Sequence, residues 1–232
     1  MNVWLLRRKT TSFAVGHMAL AYLIGKPTAR ALKQNLNMPL ILVLSIIPDI
    51  DILFGKDGIH RGPTHSIIVA LLVFIPAFVL YRKKAIPYFL ALASHSAIAD
   101  FIIGGKLMLL WPLTTQKYGL PEFGINISIT SPTNIALEWT LFVAATIIMY
   151  KTKDLNTFLQ NKKSNLLLAI PIGTVLLPTL ASYPLEVPYL LIPPHLFYLI
   201  LFSTSFLTVL IRTLKKPAKN AKTRLPEQKE QS

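Results

Sequence analysis

Long apolar stretches alternate with short polar segments along most of this chain. Each long stretch approaches the roughly 20 residues that an α-helix needs to cross a bilayer. Most contain a proline or a polar residue, which a membrane helix tolerates where it packs against neighbouring helices. An earlier stretch at 13–25 is short for a full crossing. The long stretches cover residues 38–54, 65–81, 86–104, 134–150, 166–183 and 189–211.

The composition favours a membrane protein as well. Of the 232 residues, 53% are hydrophobic and 15% are charged, against about 25% charged in soluble domains, and the mean hydropathy is +0.52. The pattern therefore predicts an all-α, polytopic membrane bundle of about six or seven helices over residues 1–211. The chain contains no cysteine, so a transition metal could be held only by His, carboxylate or water ligands.

The net charge of +14 could indicate a nucleic-acid partner, but its distribution favours a membrane protein. Lysine and arginine cluster in the short segments between apolar stretches, as the positive-inside rule requires. A cytoplasmic tail at 212–232 puts the basic segments 26–37, 82–85 and 151–165 on the same side. We therefore predict a multi-pass protein of the cell membrane with a disordered, basic cytoplasmic tail that can contact membrane lipid. The oligomeric state stays open.

Ionisable side chains lie inside or beside the apolar stretches of the first 100 residues. Such groups cost several kcal/mol at membrane depth, so they are candidate functional residues by default. A single one could be a satisfied polar group of the core, whereas a set of this size indicates a common metal site. The set consists of His17, Asp49, Asp51, His60, His65, His95 and Asp100.

The segment after the second apolar stretch carries four of these residues. Pro48 is expected to interrupt the helix because it lacks a backbone N–H. In the extended segment that should follow, Asp49 and Asp51 would point to the same side, as alternate residues do. Two carboxylates so close repel each other unless a cation lies between them. His60 falls in the next loop, and His65 falls in the first turn of the next helix.

His95 and Asp100 both belong to the fourth long stretch. Five residues correspond to about 500° of rotation, so the two side chains would diverge by roughly 140° in a regular α-helix. Both can reach one site only if the helix is distorted or if the site lies between its faces. A π-bulge would restore their alignment, and such bulges are common at functional sites.

Arg61 and Glu138 extend the candidate site. Arg61 offers a bidentate donor for a phosphate or a carboxylate, with an ion pair to Asp57 or Asp51 as the alternative. Glu138 begins the helix after the long polar segment, on the outer side of the membrane where the other candidates are predicted. We expect it either to be a catalytic group or to accept a hydrogen bond that orients a ligand His.

Five short strings occur in a fixed order along the first half of the chain. They are Gly16-His17, Pro48-Asp49-Ile50-Asp51, His60-Arg61-Gly62-Pro63-Thr64-His65-Ser66, Ser94-His95 with Asp100, and Leu110-Trp111-Pro112. Over residues 13–140 the chain resembles the membrane-bound metal-dependent hydrolases, also described as LexA-binding, inner membrane-associated hydrolases. The resemblance implies a multi-pass helical fold and a metal-dependent hydrolase whose motif His and Asp residues correspond to the seven above. Glu138 matches an acidic position of that family.

The chain departs from the family pattern at two positions. Members often carry His-x-x-x-Asp on the fourth helix, whereas one extra residue separates His95 from Asp100 here. Members can also carry a His after the Pro-Asp-Ile-Asp string, where this chain has Ile52. Both departures bear on the number of metals and on whether Asp100 binds one directly.

The leading functional hypothesis is metal-dependent hydrolysis of an ester or phosphoester. His and Asp ligands without Cys suit Zn²⁺, and also Mn²⁺ or Fe²⁺, and this many ligands could hold more than one ion. Asp51 or Asp100 could act as a general base, and Arg61 could stabilise an anionic transition state. A site at the membrane surface favours a lipid or lipid-linked substrate, with a small molecule as the alternative.

Two other functions remain open on the sequence. An ion- or proton-coupled transporter also uses intramembrane Asp and His, and candidates at staggered depths would favour it. A non-enzymatic membrane regulator would depend on its basic tail rather than on His60.

Overall fold

The structure is a computed structural model that describes residues 13–51, 60–182 and 187–215. Within these ranges the chain is helical and forms no β-strand, apart from two isolated β-bridges in the segment between residues 103 and 127. The predicted all-α bundle is confirmed. Most of the basic tail, including residues 216–232, lies outside the described residues, as do Ile52 and Asp57.

Eight helical segments make up the described chain. Several of them are composite, because 3₁₀ or π-helical turns continue an α-helix without a break. They are α1 (Ala14–Ala31), α2 (Met38–Leu44), α3 (Ile67–Tyr81), α4 (Ile86–Ser94, continued by the π-helical turn His95–Asp100), α5 (Pro132–Lys151), α6 (Leu155–Leu159), α7 (Lys163–Leu180) and α8 (Tyr189–Leu214).

Short polar residues mark where three of these helices begin. The side chain of Asn37 accepts a hydrogen bond from the third backbone N–H of α2, and Ser66 and Ser131 do the same for α3 and α5. Such N-caps satisfy backbone donors that have no partner inside the helix. The apolar run that follows each cap then continues as a helix.

Three described helices, α5, α7 and α8, are long and apolar enough to span a membrane. The predicted stretches 38–54, 65–81 and 86–104 form shorter or interrupted helices. The first of them ends at Leu44 as an α-helix and continues as the 3₁₀ turn Ile47–Ile50. The reason is Pro48, which has no N–H to bond to the carbonyl four residues earlier.

Helix α1 lies at the centre of the bundle and packs against α2, α4 and α5. Its small residues allow close approach of neighbouring helices, as in other membrane bundles. At Gly25, for example, an added Cβ would overlap the side chain of Ile41 on α2. The main core cluster surrounds this helix and includes Met18, Tyr22, Leu42, Phe142, Tyr198 and Phe202.

The bundle has two chemically different ends. The ammonium of Lys26 lies 2.6 Å from Asp154, and the backbone N–H of Asn37 donates to the Tyr88 hydroxyl. These contacts gather the segments 26–37, 82–85 and 151–165 at one end, which we call the basic end. Helices α1 and α3 run towards it and α4 runs away from it, so the predicted His and Asp residues meet at the opposite end.

Candidate metal centre

Four buried side chains converge at the end of the bundle opposite the basic end. One ligand atom from each of Asp49, His65, His95 and Asp100 lies within 4.8 Å of the other three. The Nε2 atom of His65 lies 3.4 Å from Asp49 Oδ1 and 3.2 Å from Asp100 Oδ2. The Nε2 atom of His95 lies 3.5 Å and 3.6 Å from the same two oxygens. We call this group the four-residue centre.

Three of these ligand atoms are buried without a hydrogen bond among the described residues. They are Asp49 Oδ1, His65 Nε2 and His95 Nε2. A polar atom buried in this way costs roughly 1–3 kcal/mol, so a cluster of them needs an explanation such as a bound ion. The distances of 3.4 and 3.5 Å from Asp49 Oδ1 to the Nε2 atoms of His65 and His95 are long for hydrogen bonds and leave space for a shared cation.

The hydrogen bond of His95 fixes how its ring faces the centre. Its Nδ1–H donates to the carbonyl oxygen of Ser45 at 2.6 Å, so the neutral ring presents an Nε2 lone pair to Asp49 and Asp100. A lone pair facing two carboxylates is stabilised only by a proton or a metal cation between them. Ser45 lies at the end of α2 and orients the ring through its carbonyl, in the manner of the groups behind metal-ligating His.

A π-helical turn aligns His95 with Asp100. Residues His95–Asp100 are π-helical, and hydrogen bonds of the i→i+5 type bring residues five apart onto nearly the same face. The π-bulge that would align the two residues is therefore present. It accommodates the extra residue between them.

Asp49 and Asp51 do not share one side as the sequence predicts. The segment is a 3₁₀ turn rather than extended chain, and Asp51 has helical backbone angles. The two carboxylates instead flank the ring of His65, with Asp49 near Nε2 and Asp51 Oδ2 3.5 Å from Nδ1. Only Asp49 belongs to the four-residue centre.

Asp51, His60 and His65 form a second group next to the first. The carboxylate of Asp51 accepts hydrogen bonds from His60 Nδ1 at 2.9 Å and from the Thr64 hydroxyl at 2.6 Å. His60 is only partly buried and Thr64 is exposed. This group therefore connects the buried centre to the surface of the bundle.

Arg61 holds the loop after α4 in place. Its guanidinium lies 3.1 Å from Asp100 Oδ1 and donates to the carbonyl oxygens of Asp100, Ile103 and Gly105. The described partner is thus Asp100 rather than Asp51. Gly104 has a positive φ of 80°, and a Cβ there would come within 2.8 Å of the guanidinium, so this position needs glycine.

His17 lies at the edge of the four-residue centre. Its Nε2 is 3.4 Å from Asp100 Oδ1, and its ring centroid is 4.1 Å from that of His95. Its Nδ1–H donates to the carbonyl oxygen of Phe13. The geometry brings His17 to the second oxygen of Asp100, which also pairs with Arg61.

Glu138 contacts the neighbour of His17 rather than the metal-binding groups. Its Oε2 accepts a hydrogen bond of 2.6 Å from the backbone N–H of Gly16. Both residues are buried, and a Cβ at position 16 would lie 2.6 Å from Glu138 Oε1. This contact ties α5 to the start of α1. His195, the one histidine outside the sequence motifs, links α8 to the carbonyl of Leu176.

The donor set fits a divalent transition metal. Two imidazole nitrogens and two carboxylate oxygens suit Zn²⁺, Mn²⁺ or Fe²⁺. Ligands about 2.0–2.1 Å from a tetrahedral Zn²⁺ lie about 3.3–3.4 Å from one another, and the separations of 3.2 to 3.6 Å match that spacing. The four residues present therefore have the chemistry, and between each His and each Asp the spacing, to hold such an ion.

Sequence reasoning missed the groups that support the centre. Ser45 acts through its carbonyl, which no side-chain motif reveals. Gly104 carries no side-chain chemistry, so its contact with the Arg61 guanidinium follows only from the fold. The Leu-Trp-Pro string has a structural contact too, because the Trp111 carbonyl accepts a hydrogen bond from the Ser66 hydroxyl.

Comparison with known families assigns the chain to a membrane protein family. The sequence profile described as YdjM inner membrane protein matches residues 11–177, which is most of the chain. The chain therefore belongs to that family, and membrane localisation follows from the family together with α5, α7 and α8. Searches of curated proteins and of solved structures found no match.

Proposed function

We propose that this member of the YdjM inner membrane protein family is a metal-dependent hydrolase of an ester or phosphoester bond. The observation that carries the proposal is the convergence of Asp49, His65, His95 and Asp100 on a common point. Three buried atoms of that group make no hydrogen bond among the described residues. Burying polar atoms without hydrogen bonds is costly unless they bind something.

The four-residue centre would hold the ion in this proposal. When bound, a divalent ion supplies polarisation of the scissile bond and activation of water at neutral pH. Asp49 and Asp100 contribute negative charge, and His65 and His95 contribute neutral nitrogen ligands. Arg61 holds Asp100 in position instead of stabilising the transition state directly.

Asp51 and His60 would support the ligand His65 from behind. Asp51 lies behind His65, where a carboxylate fixes the ring orientation and raises the basicity of the ligand nitrogen. His60 bonds to the same carboxylate and is partly exposed. Together the two residues would hold the His65 ring in its ligating orientation. Glu138 would act one step further away, by fixing the backbone next to His17.

The position of the centre supports the proposed substrate class. The exposed Thr64 and partly exposed His60 open on the end of the bundle, next to the segment after residue 103. A lipid or lipid-linked ester at the membrane surface could reach this side. The three basic segments at the other end support a cytoplasmic basic end and C-terminus under the positive-inside rule, so the centre would face the outer side.

Metal analysis of the purified protein tests the proposal. We would compare wild type with His65→Gln and with the matched control His195→Gln, which also alters a buried histidine. Wild type and control should carry a stoichiometric divalent metal, and His65→Gln should lose it. Equal metal content in all three proteins would contradict the proposed centre.

Hydrolysis is measured on the same preparations. Chromogenic phosphomonoester, phosphodiester and carboxylate ester probes would be tested with Zn²⁺, Mn²⁺ and Fe²⁺ in detergent. Turnover that needs metal, disappears in His65→Gln and persists in His195→Gln is the expected result. Metal binding without turnover of any ester, together with metal or proton flux into vesicles, would favour the transporter instead.

A further inference from the structure

A large cavity opens between α2, α3 and α4 at the basic end. Its volume is about 710 Å³, within the usual range of small-molecule sites. Helix α3 has 15 residues and is about 22 Å long at 1.5 Å per residue. It begins beside His65 and ends at Tyr81 at the mouth of this cavity, so the mouth lies at the end opposite the four-residue centre.

The lining of the cavity changes from apolar to basic. Its inner part is formed by Leu40, Leu44, Phe74 and Phe89. Its mouth carries polar and basic groups, including Gln34, Asn35, Asn37, Lys33 and Lys84, and no acidic residue is among the described residues that line it.

A second cavity continues the basic mouth. It has a volume of about 490 Å³ and shares Gln34, Tyr81 and Lys84 with the first. Arg82 and Lys83 also line it. Four cationic side chains therefore surround one opening, which gives it strong charge complementarity to an anion.

The wall formed by α3 faces away from the rest of the protein. No residue of this apolar helix is buried, and Val73 and Leu80 are 63% and 74% exposed. An apolar helix with this exposure in an inner membrane protein is expected to contact acyl chains on its outer face. Lipid can therefore enter the cavity along α3.

We propose that this cavity is a binding site for an anionic phospholipid. One acyl chain lies between Leu44, Phe74 and Phe89, and the phosphate lies between Lys33 and Lys84. Basic pockets between membrane helices bind anionic headgroups in this way. Tyr81 and Tyr88 at the mouth suit the interface, where aromatic side chains with a polar tip are enriched. The lipid is a bound partner and not the substrate, because its phosphate, between Lys33 and Lys84, lies at the end of the bundle opposite the four-residue centre.

Lipid binding to the full-length protein in detergent, measured by native mass spectrometry, tests the proposal. The probes are phosphatidylglycerol and phosphatidylcholine with identical acyl chains, and glycerol phosphate as the free headgroup. Wild type should prefer phosphatidylglycerol. Lys33→Gln/Lys84→Gln should weaken its affinity by about tenfold or more, since each basic residue near an anionic lipid contributes about 1 kcal/mol.

Two further variants separate the cavity from general charge. Lys162→Gln/Lys163→Gln removes the same charge from exposed residues at the same end that do not line the cavity, and it should retain the preference. Ala77→Phe fills the apolar part without changing charge, and it should reduce phosphatidylglycerol binding.

Several results would overturn the assignment. Equal binding of both lipids by wild type would show that the site does not select an anionic headgroup. Equal loss of phosphatidylglycerol affinity in the two double lysine variants would show that only diffuse charge attracts the lipid. Unchanged binding by Ala77→Phe would exclude insertion of an acyl chain. Competition by glycerol phosphate at the same concentration as the lipid would identify a free phosphate site instead.

Discussion

His95 Nε2 and Asp100 Oδ2 lie 3.6 Å apart although five positions separate the two residues, because the turn between them is π-helical. Deleting the exposed Ala97 would convert the spacing to four, which an α-helix aligns equally well. We expect this variant to retain bound metal. Inserting an alanine at the same place should abolish metal binding. Metal content by mass spectrometry checks both variants, and loss in the deletion variant would show that the π-helical turn itself is required.

Asp49 and Asp51 should respond differently to loss of charge. Asp49 belongs to the four-residue centre, so Asp49→Asn should remove the metal. Asp51 lies behind His65, and loss of such a supporting carboxylate typically costs about 10–100-fold in metal affinity. Titration with a competing chelator measures both affinities. Equal loss in the two variants would make Asp51 a direct ligand, as the sequence alone predicts.

Arg61→Met should destabilise the protein by about 3 kcal/mol or more, because it leaves Asp100 buried without its ion-pair partner. Heat inactivation or thermal unfolding in detergent measures the change. Arg212→Met is the control, since Arg212 is exposed at the end of α8 and should have little effect. If Arg61→Met keeps the stability of wild type and raises only KM, the role of Arg61 is to bind the substrate rather than to stabilise Asp100.

Gly16→Ala should destabilise the contact between α1 and α5. The new Cβ would lie 2.6 Å from Glu138, and overpacking of this kind costs about 1–3 kcal/mol. Shortening the acid in Gly16→Ala/Glu138→Asp should recover part of the loss, because the two positions are in direct contact. Gly173→Ala, where a Cβ meets nothing within 4 Å, is the control. If the stability losses of the two substitutions simply add in the double variant, the Gly16→Ala strain does not arise from contact with Glu138.

Because of the Lys26–Asp154 pair, we expect the stability of the protein to depend on pH in the acid range. Partial burial alone would raise the pKa of Asp154, but hydrogen bonds from Lys26, Thr152 and Tyr22 lower it overall. A depressed folded-state pKa stabilises the protein above the unfolded value of about 3.9, and the stabilisation is lost as the pH falls through the folded-state pKa. Unfolding temperatures measured from pH 5 downwards should therefore fall more steeply for wild type than for Asp154→Asn. Parallel curves would contradict this role.

The sequence also predicted parts of the fold and centre through local rules. Pro48 interrupts the second apolar stretch, as predicted, because its nitrogen carries no hydrogen. The start of the next helix was predicted less accurately, since His65 lies in the 3₁₀ turn Pro63–His65 and α3 begins only at Ile67. The rotation between His95 and Asp100 follows from helix geometry, so the need for a distorted turn could be stated in advance. Each of these rules acts within a few residues.

Contacts between distant segments needed the tertiary structure. The conformation after Pro48 turned out to be 3₁₀, which rotates Asp51 behind His65 rather than beside Asp49. Arg61 contacts Asp100, 39 positions away, because the loop after α4 folds over the Arg61 guanidinium. The residue pattern predicts neither the Asp51–His65 contact nor the Arg61–Asp100 contact, because each depends on how the helices pack.

Sequence alone is enough to identify a helical membrane protein with a set of His and Asp side chains in its first half. Apolar length and the cost of burying charge are sufficient for that conclusion. Only the packing of the helices shows that Asp49, His65, His95 and Asp100 form the centre. It also shows that Asp51 and His60 lie behind the centre and that a basic cavity opens at the other end. The physical reason is that hydropathy depends on each residue alone, whereas a site depends on distances set by packing between helices.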